Sequence, residues 1–302
     1  MRTKTMLVGL FTLLFGFALP GLASTPGQEQ QEDVRGAFLT TRPKAGEKSN
    51  ASAAARPNRR RPKSTPAKPP VPSDGRPPSE AKPGGDAPPK MRTPKIGLGL
   101  TLFTRDSNGL AVRVDPTRVF RTGDRVRALL ETNVDGYLYI FNTTDGGKPV
   151  MIYPNPELDE GGNYIQSHVP FEIPASVADQ ERLRWLTFDK YPGAERLFFV
   201  FTRDPLPAVP TEDELISYCR VNEKQCPLQP AAELWAQIQT ELSAPMQVAK
   251  TGTYGQSQTA GEQAASTRGL GLSKDDPEPS VVMMAASANS RMLVAMLELI
   301  HK

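Results

Sequence analysis

The sequence predicts an all-β sandwich, immunoglobulin-like in general architecture, with a short helical hairpin appended, behind an N-terminal signal peptide and a long disordered proline-rich linker. Three observations predict it. First, 30 of the 302 residues are proline, 24 are glycine and only 38% are hydrophobic. Proline at about twice its ordinary share cannot be spread through packed helices and strands. Second, residues 42–93 hold 13 Lys/Arg against 4 Asp/Glu, whereas residues 94–302 hold 20 against 26. The formal net charge of +3 is therefore the sum of a strongly basic segment and a mildly acidic remainder. Third, from Lys95 onward short apolar stretches alternate with turn signals at near-regular intervals, a pattern of packed sheets.

Residues 1–23 read as a signal peptide. Met1-Arg2-Thr3-Lys4 gives a positive start, Met6 to Leu19 an apolar run, and Pro20 and Gly21 break it. The small residues Ala23 and Ser24 then bracket a cleavage point. An uncleaved anchor is the alternative, but an apolar run of about 14 residues is shorter than the roughly 20 that span a bilayer. No cysteine follows the run, so a lipoprotein anchor is excluded. Export to the periplasm or the extracellular space is the expectation.

Residues 24–95 read as the linker, because no apolar periodicity runs through them. From Arg56 the chain repeats Pro beside Lys and Arg, which removes backbone donors, repels like charges and leaves nothing to bury. Extended as polyproline II, residues 42–95 reach on the order of 150 Å, and as a coil roughly 40 Å. Three uses compete for this segment. They are a spacer, an attachment to anionic lipid head groups, an anionic envelope polymer or another envelope protein through Arg59, Arg60 and Arg61, and a proline-reading partner at the PxxP spacings Pro66/Pro69 and Pro69/Pro72. Nucleic acid is excluded as a partner, because such binders carry their basic excess on a folded face or recognition helix.

Residues 96–204 form the expected sandwich. Ile96–Phe103 and Leu110–Val114 are strand candidates. Over Asp124–Thr132, Val126, Ala128 and Leu130 face one way and Arg125, Arg127 and Glu131 the other, the period of a half-buried strand. Asp135-Gly136 precedes Tyr137–Phe141, apolar on both faces and so central. Asp145-Gly146-Gly147 turns the chain into Val150–Tyr153. Further strands are expected at Val169–Ile173, Leu183–Phe188 and Leu197–Thr202.

Residues 205–245 carry two helices. Thr211 with Glu214 has the spacing of a capping box, and Leu234, Ile238 and Leu242 recur every four residues between Pro230 and Pro245. Cys219 and Cys226 fall here. An even, minimal count at close spacing in an exported chain favours a disulfide over two buried thiols, and closing so short a loop stabilises by roughly 2–3 kcal/mol. Residues 246–278 are polar and small and read as a flexible loop. Residues 279–302 form a C-terminal hairpin or helix packing on the sandwich, with Val281–Ala285 the right length to pair with Met292–Ile300.

Phe120-Arg121-Thr122-Gly123-Asp124, Tyr137-Leu138-Tyr139-Ile140-Phe141-Asn142, Asp145-Gly146 and Tyr153-Pro154-Asn155 occur in the order seen in one bacterial family. On these motifs, extended by Ile173-Pro174 and Glu195-Arg196-Leu197-Phe198, residues 97–204 resemble domain of unknown function 4384. The resemblance implies a β-sandwich module that stands alone or beside kinase-like or peptidase-like domains. It implies no catalytic residues.

The residues themselves point away from catalysis. His168 and His301 are the only histidines. Ser167 adjoins His168, but neighbours on an extended chain face opposite ways, so His168 is expected at the surface or a strand end. No cofactor is expected. The loop holding Asn155, Glu157, Asp159 and Glu160 offers alternating oxygen ligands of the kind calcium takes, against the reading of a solvated acidic loop. The aromatic set from Tyr137 to Phe201 reads as core, with an exposed carbohydrate- or partner-binding face as the alternative. The functional expectation is an exported non-catalytic module that binds a protein or envelope polymer. Two alternatives stand beside it: an envelope-spanning spacer resembling TonB-type proteins in layout, with an uncleaved anchor, and a hydrolase.

Overall fold

The computed structural model describes residues 26–44, 93–156, 162–207, 209–223 and 226–302. The expected signal segment with Ala23 and Ser24, the basic run Arg59–Arg61, and Glu157, Asp159 and Glu160 lie outside the described residues.

Two sheets face each other. The first runs in the order β11 (Met246–Lys250), β12 (Val281–Ala285), β1 (Gly97–Arg105), β4 (Arg125–Thr132) and β8 (Phe171–Ile173), with β2 (Ala111–Arg113) on β1 and β9 (Leu186–Thr187) on β4. The second runs β3 (Val119–Phe120), β13 (Met292–His301), β10 (Gly193–Thr202), β5 (Gly136–Thr144) and β6 (Val150–Tyr153), with β7 (Tyr164–Ile165) on β5. All the pairings are antiparallel except that of β13 with β3. Between the sheets lies the main core, where Leu98, Leu100, Val126 and Leu130 meet Leu138, Ile140, Phe199 and Phe201.

The alternation that marks half-buried strands is present, yet the outer faces are covered too. On the second sheet, α2 (Glu212–Val221) and α3 (Ala232–Leu242) bury Tyr139, Phe141, Phe198 and Val200 beneath Leu215, Leu234 and Ile238. On the first, α1 (Pro26–Leu39) lays Val34 and Phe38, one helical turn apart, against Ala249, Val282 and Met284. Residues 24–95 are thus not linker throughout, as their polarity suggested, because two apolar residues at helical spacing suffice to dock α1. The polar face of β4 is buried as well. Arg127, 5% exposed, stacks 4.0 Å from the Trp185 ring and donates twice to Arg184 O.

Residues 246–278 hold β11 and α4 (Ala260–Arg268) rather than a flexible loop. At α4 the Thr259 hydroxyl accepts from Glu262 N, and the Glu262 carboxylate accepts from Thr259 N. Glu262 also pairs with buried Arg113, fixing the helix to the sheet. The capping box expected at Thr211 does not form, since the Thr211 side chain makes no cap hydrogen bond. Residues 279–302 hold two strands, β12 and β13, which do not pair as a hairpin. Six residues carry the chain from β12 in the first sheet to β13 in the second, because each strand buries an alternate face against the shared core. Of the expected strand Leu183–Phe188, only Leu186–Thr187 pairs, and Glu181–Leu183 is a turn of 3₁₀ helix.

Both described ends flanking residues 45–92 sit at one place. Thr41 Oγ1 lies 3.4 Å from Asn133 O, Asn133 Nδ2 donates to Lys95 O at 2.9 Å, and Asn133 Oδ1 accepts from Gly97 N at 2.7 Å. Beside them the Arg42 guanidinium clamps Glu131 through Nε at 2.8 Å and Nη2 at 2.6 Å. Its remaining N–H groups reach the carbonyls of Ser273, Asp276 and Pro277. Pro43 O accepts from Lys274 N at 3.0 Å.

Candidate functional site

Where β5 and β13 end and β10 begins, the sheets part around a cavity of about 300 Å³. Val126, Ile152, Leu186, Phe188, Leu197 and Leu299 give it an apolar lining, and Asn142, Thr144, Thr187, Asp189, Glu195 and His301 a polar one. Strand register assembles it. Thr144 stands opposite Glu195, Glu195 opposite Leu299, and Asn142 opposite Leu197, so the period of two sets these side chains on one face.

Glu195 accepts from Asn142 Nδ2 at 3.0 Å and from Thr144 Oγ1 at 2.9 Å. That orients the amide and leaves Asn142 Oδ1 buried without a hydrogen-bond partner. His301 is 4% exposed, packs against Phe188 at 5.1 Å between ring centroids, and has no hydrogen bond on either ring nitrogen. Asp189 Oδ1 stands 3.7 Å from its Nε2, beyond hydrogen-bond reach. Two carboxylates therefore flank the cavity, and among the described residues no lysine or arginine forms an ion pair with either.

The other histidine is elsewhere and differently used. Of the two places expected for it, the surface or a strand end, His168 takes the second, and it is buried there. Its backbone is left-handed, φ 57°, and turns the ring inward at the far end of β4, where His168 N donates to Thr132 O. Nδ1 donates to Glu131 at 2.6 Å and Nε2 meets the Thr41 hydroxyl at 2.7 Å. Burial pushes the Glu131 carboxyl upward, but the hydrogen bonds and charges of His168 and Arg42 outweigh it and hold the group below its ordinary range. Sequence reasoning missed this cluster because its members lie far apart in the chain. Nothing in the spacing of Arg42, Glu131 and His168 joins them.

The aromatic alternative is corrected. Tyr137, Tyr139, Phe141, Tyr153, Trp185, Phe188, Phe198, Phe199 and Phe201 are each buried, so they form no exposed binding face. Of the calcium candidates only Asn155 is described, half-buried at the end of β6. Among the described residues no three His, Cys, Asp or Glu side chains stand where they would hold a metal ion. Cys219 and Cys226 are disulfide-bonded, with Cα atoms 5.4 Å apart, a pairing that points to an oxidising compartment. It ties α2 to the segment before α3.

No curated protein and no solved structure matches this chain. The strands from β3 to β10, which supply most of the cavity lining, fall within one matched segment, while β1, β2, β11, β12 and β13 complete the sandwich from outside it. Residues 119–205 match the family model described as Domain of unknown function (DUF4384).

Proposed function

We propose that the protein is an exported, non-catalytic interaction module whose sandwich presents the basic proline-rich residues 45–92 as a closed loop and engages an anionic envelope polymer or protein through it. The observation that carries this reading is the convergence of Thr41 and Lys95 on Asn133. A tether works only if its two ends separate. Here both ends are held at one end of one sheet, with buried Arg42 locked beside them.

Charge gives the loop its partner class. Residues 45–92 hold 11 Lys/Arg against 4 Asp/Glu, and each basic residue near an anionic surface contributes about 1 kcal/mol, weakened by salt. The remainder of the mature chain is mildly acidic and adds no attraction. The disulfide supports export, with Ala23 and Ser24 flanking the cut.

Replacement of residues 45–92 by a short glycine-serine link tests the proposal. The full chain is expected to sediment with an insoluble anionic polymer such as phosphocellulose at low salt and to release at high salt. The shortened chain should keep its melting temperature and stay in solution. Equal sedimentation of the two chains would overturn the reading.

A further inference from the structure

We propose that the cavity bounded by Glu195, Asn142 and His301 is a binding site for a primary ammonium group carried on a short alkyl chain. This rests on no property of the basic loop, whose base lies at the other end of the sandwich. A volume of about 300 Å³ is at the lower end of the range for small-ligand sites, which limits the occupant to a few methylenes and one head group.

The lining dictates the head group. Asn142 Oδ1 is an acceptor fixed in direction by the Nδ2 bond to Glu195, and it has no partner. Glu195 accepts from two neighbours and retains further lone pairs. A neutral His301 ring offers one acceptor nitrogen, and neither of its nitrogens is engaged. An ammonium group has three N–H donors and no acceptor, which suits such a set. Its positive charge suits Glu195 and Asp189, which no lysine or arginine among the described residues neutralises. The same carboxylates repel an anion. A metal ion is disfavoured because no three ligating side chains stand close enough among the described residues. The methylenes of the occupant would lie on Leu197, Leu299 and Ile152, and burying them adds to the binding.

Free alkylamines and the lysine side chain of another protein share this chemistry. Titration of the full chain with n-butylamine hydrochloride and with Nα-acetyl-lysine methylamide, followed by the His301 ring resonances, tests the site and separates the sources. Saturable binding of either cation is expected, with sodium butyrate and 1-butanol inert. Preference for butylammonium assigns a small amine, and preference for the lysine derivative assigns a protein side chain. Glu195→Gln with Asp189→Asn should weaken binding roughly tenfold or more while the melting temperature of the unliganded protein holds. The proposal is overturned if neither cation binds, if butyrate or butanol binds as well, or if the folded double variant binds like the parent.

Discussion

Gly97 and Gly99 face α1, and the space they leave is what seats it. A Cβ on Gly99 would stand 2.4 Å from Pro279 Cγ and 3.2 Å from Phe38 Cζ, and one on Gly97 would stand 2.9 Å from Phe38 Cδ2. Gly99→Ala is therefore expected to destabilise by about 1–3 kcal/mol through overpacking, read as a lower denaturant midpoint. Gly36→Ala, in α1 with nothing within 4 Å, should instead stabilise by about 0.5–1 kcal/mol. Arg42→Met leaves the buried Glu131 carboxylate with His168 alone as its side-chain partner and should cost about 3–5 kcal/mol. The same pair sets an acid limit. The Glu131 carboxyl sits below its ordinary value of about 4.5 in the fold, so as pH falls the unfolded chain takes up this proton first. Its contribution is present above that ordinary value and drains as pH falls through the folded one. Denaturant titrations between about pH 6 and pH 3 should show a shallower acid decline in Glu131→Gln than in the parent.

Among the elements, those with strong local signals were legible in the sequence. The alternation of Val126, Ala128 and Leu130 and the four-residue spacing of Leu234, Ile238 and Leu242 specify their own burial, and the structure buries Leu234 and Ile238 with Leu242 partly covered. Elements that depend on distant partners were not legible. With Val34 and Phe38 buried and Leu39 partly covered, α1 has too little apolar periodicity to stand out from the polar stretch around it. Strands β12 and β13 were visible as apolar runs, but which sheet each joins depends on neighbours far off in sequence. The cavity was hidden likewise, because Asn142, Glu195 and His301 meet only through the register of three strands. One consequence is that residues 96–204 do not form a complete unit. They lack β13, which stands between β3 and β10, and a fragment of those residues is expected to give no cooperative thermal transition. Reduction of Cys219–Cys226 should cost the whole chain roughly 2–3 kcal/mol without abolishing the fold, since α2 and α3 keep their own contacts with the second sheet.

At the scale of the molecule, the sandwich has two unlike ends. One holds Asn133, Arg42 and the described residues that flank 45–92 on either side. The other, about 27 Å away along the nine residues of β5, holds the cavity with its two carboxylates. The net charge of +3 averages these and describes neither. The residues that flank 45–92, Thr41 and Lys95, meet at Asn133. Nitroxide labels on Thr40→Cys and Thr93→Cys, both exposed positions, measure that convergence directly by pulsed dipolar spectroscopy, with the native disulfide left closed. One narrow distance below about 20 Å is expected, set by the shared contacts at Asn133. A broad distribution centred near 40 Å, the span of a free coil of that length, would contradict it.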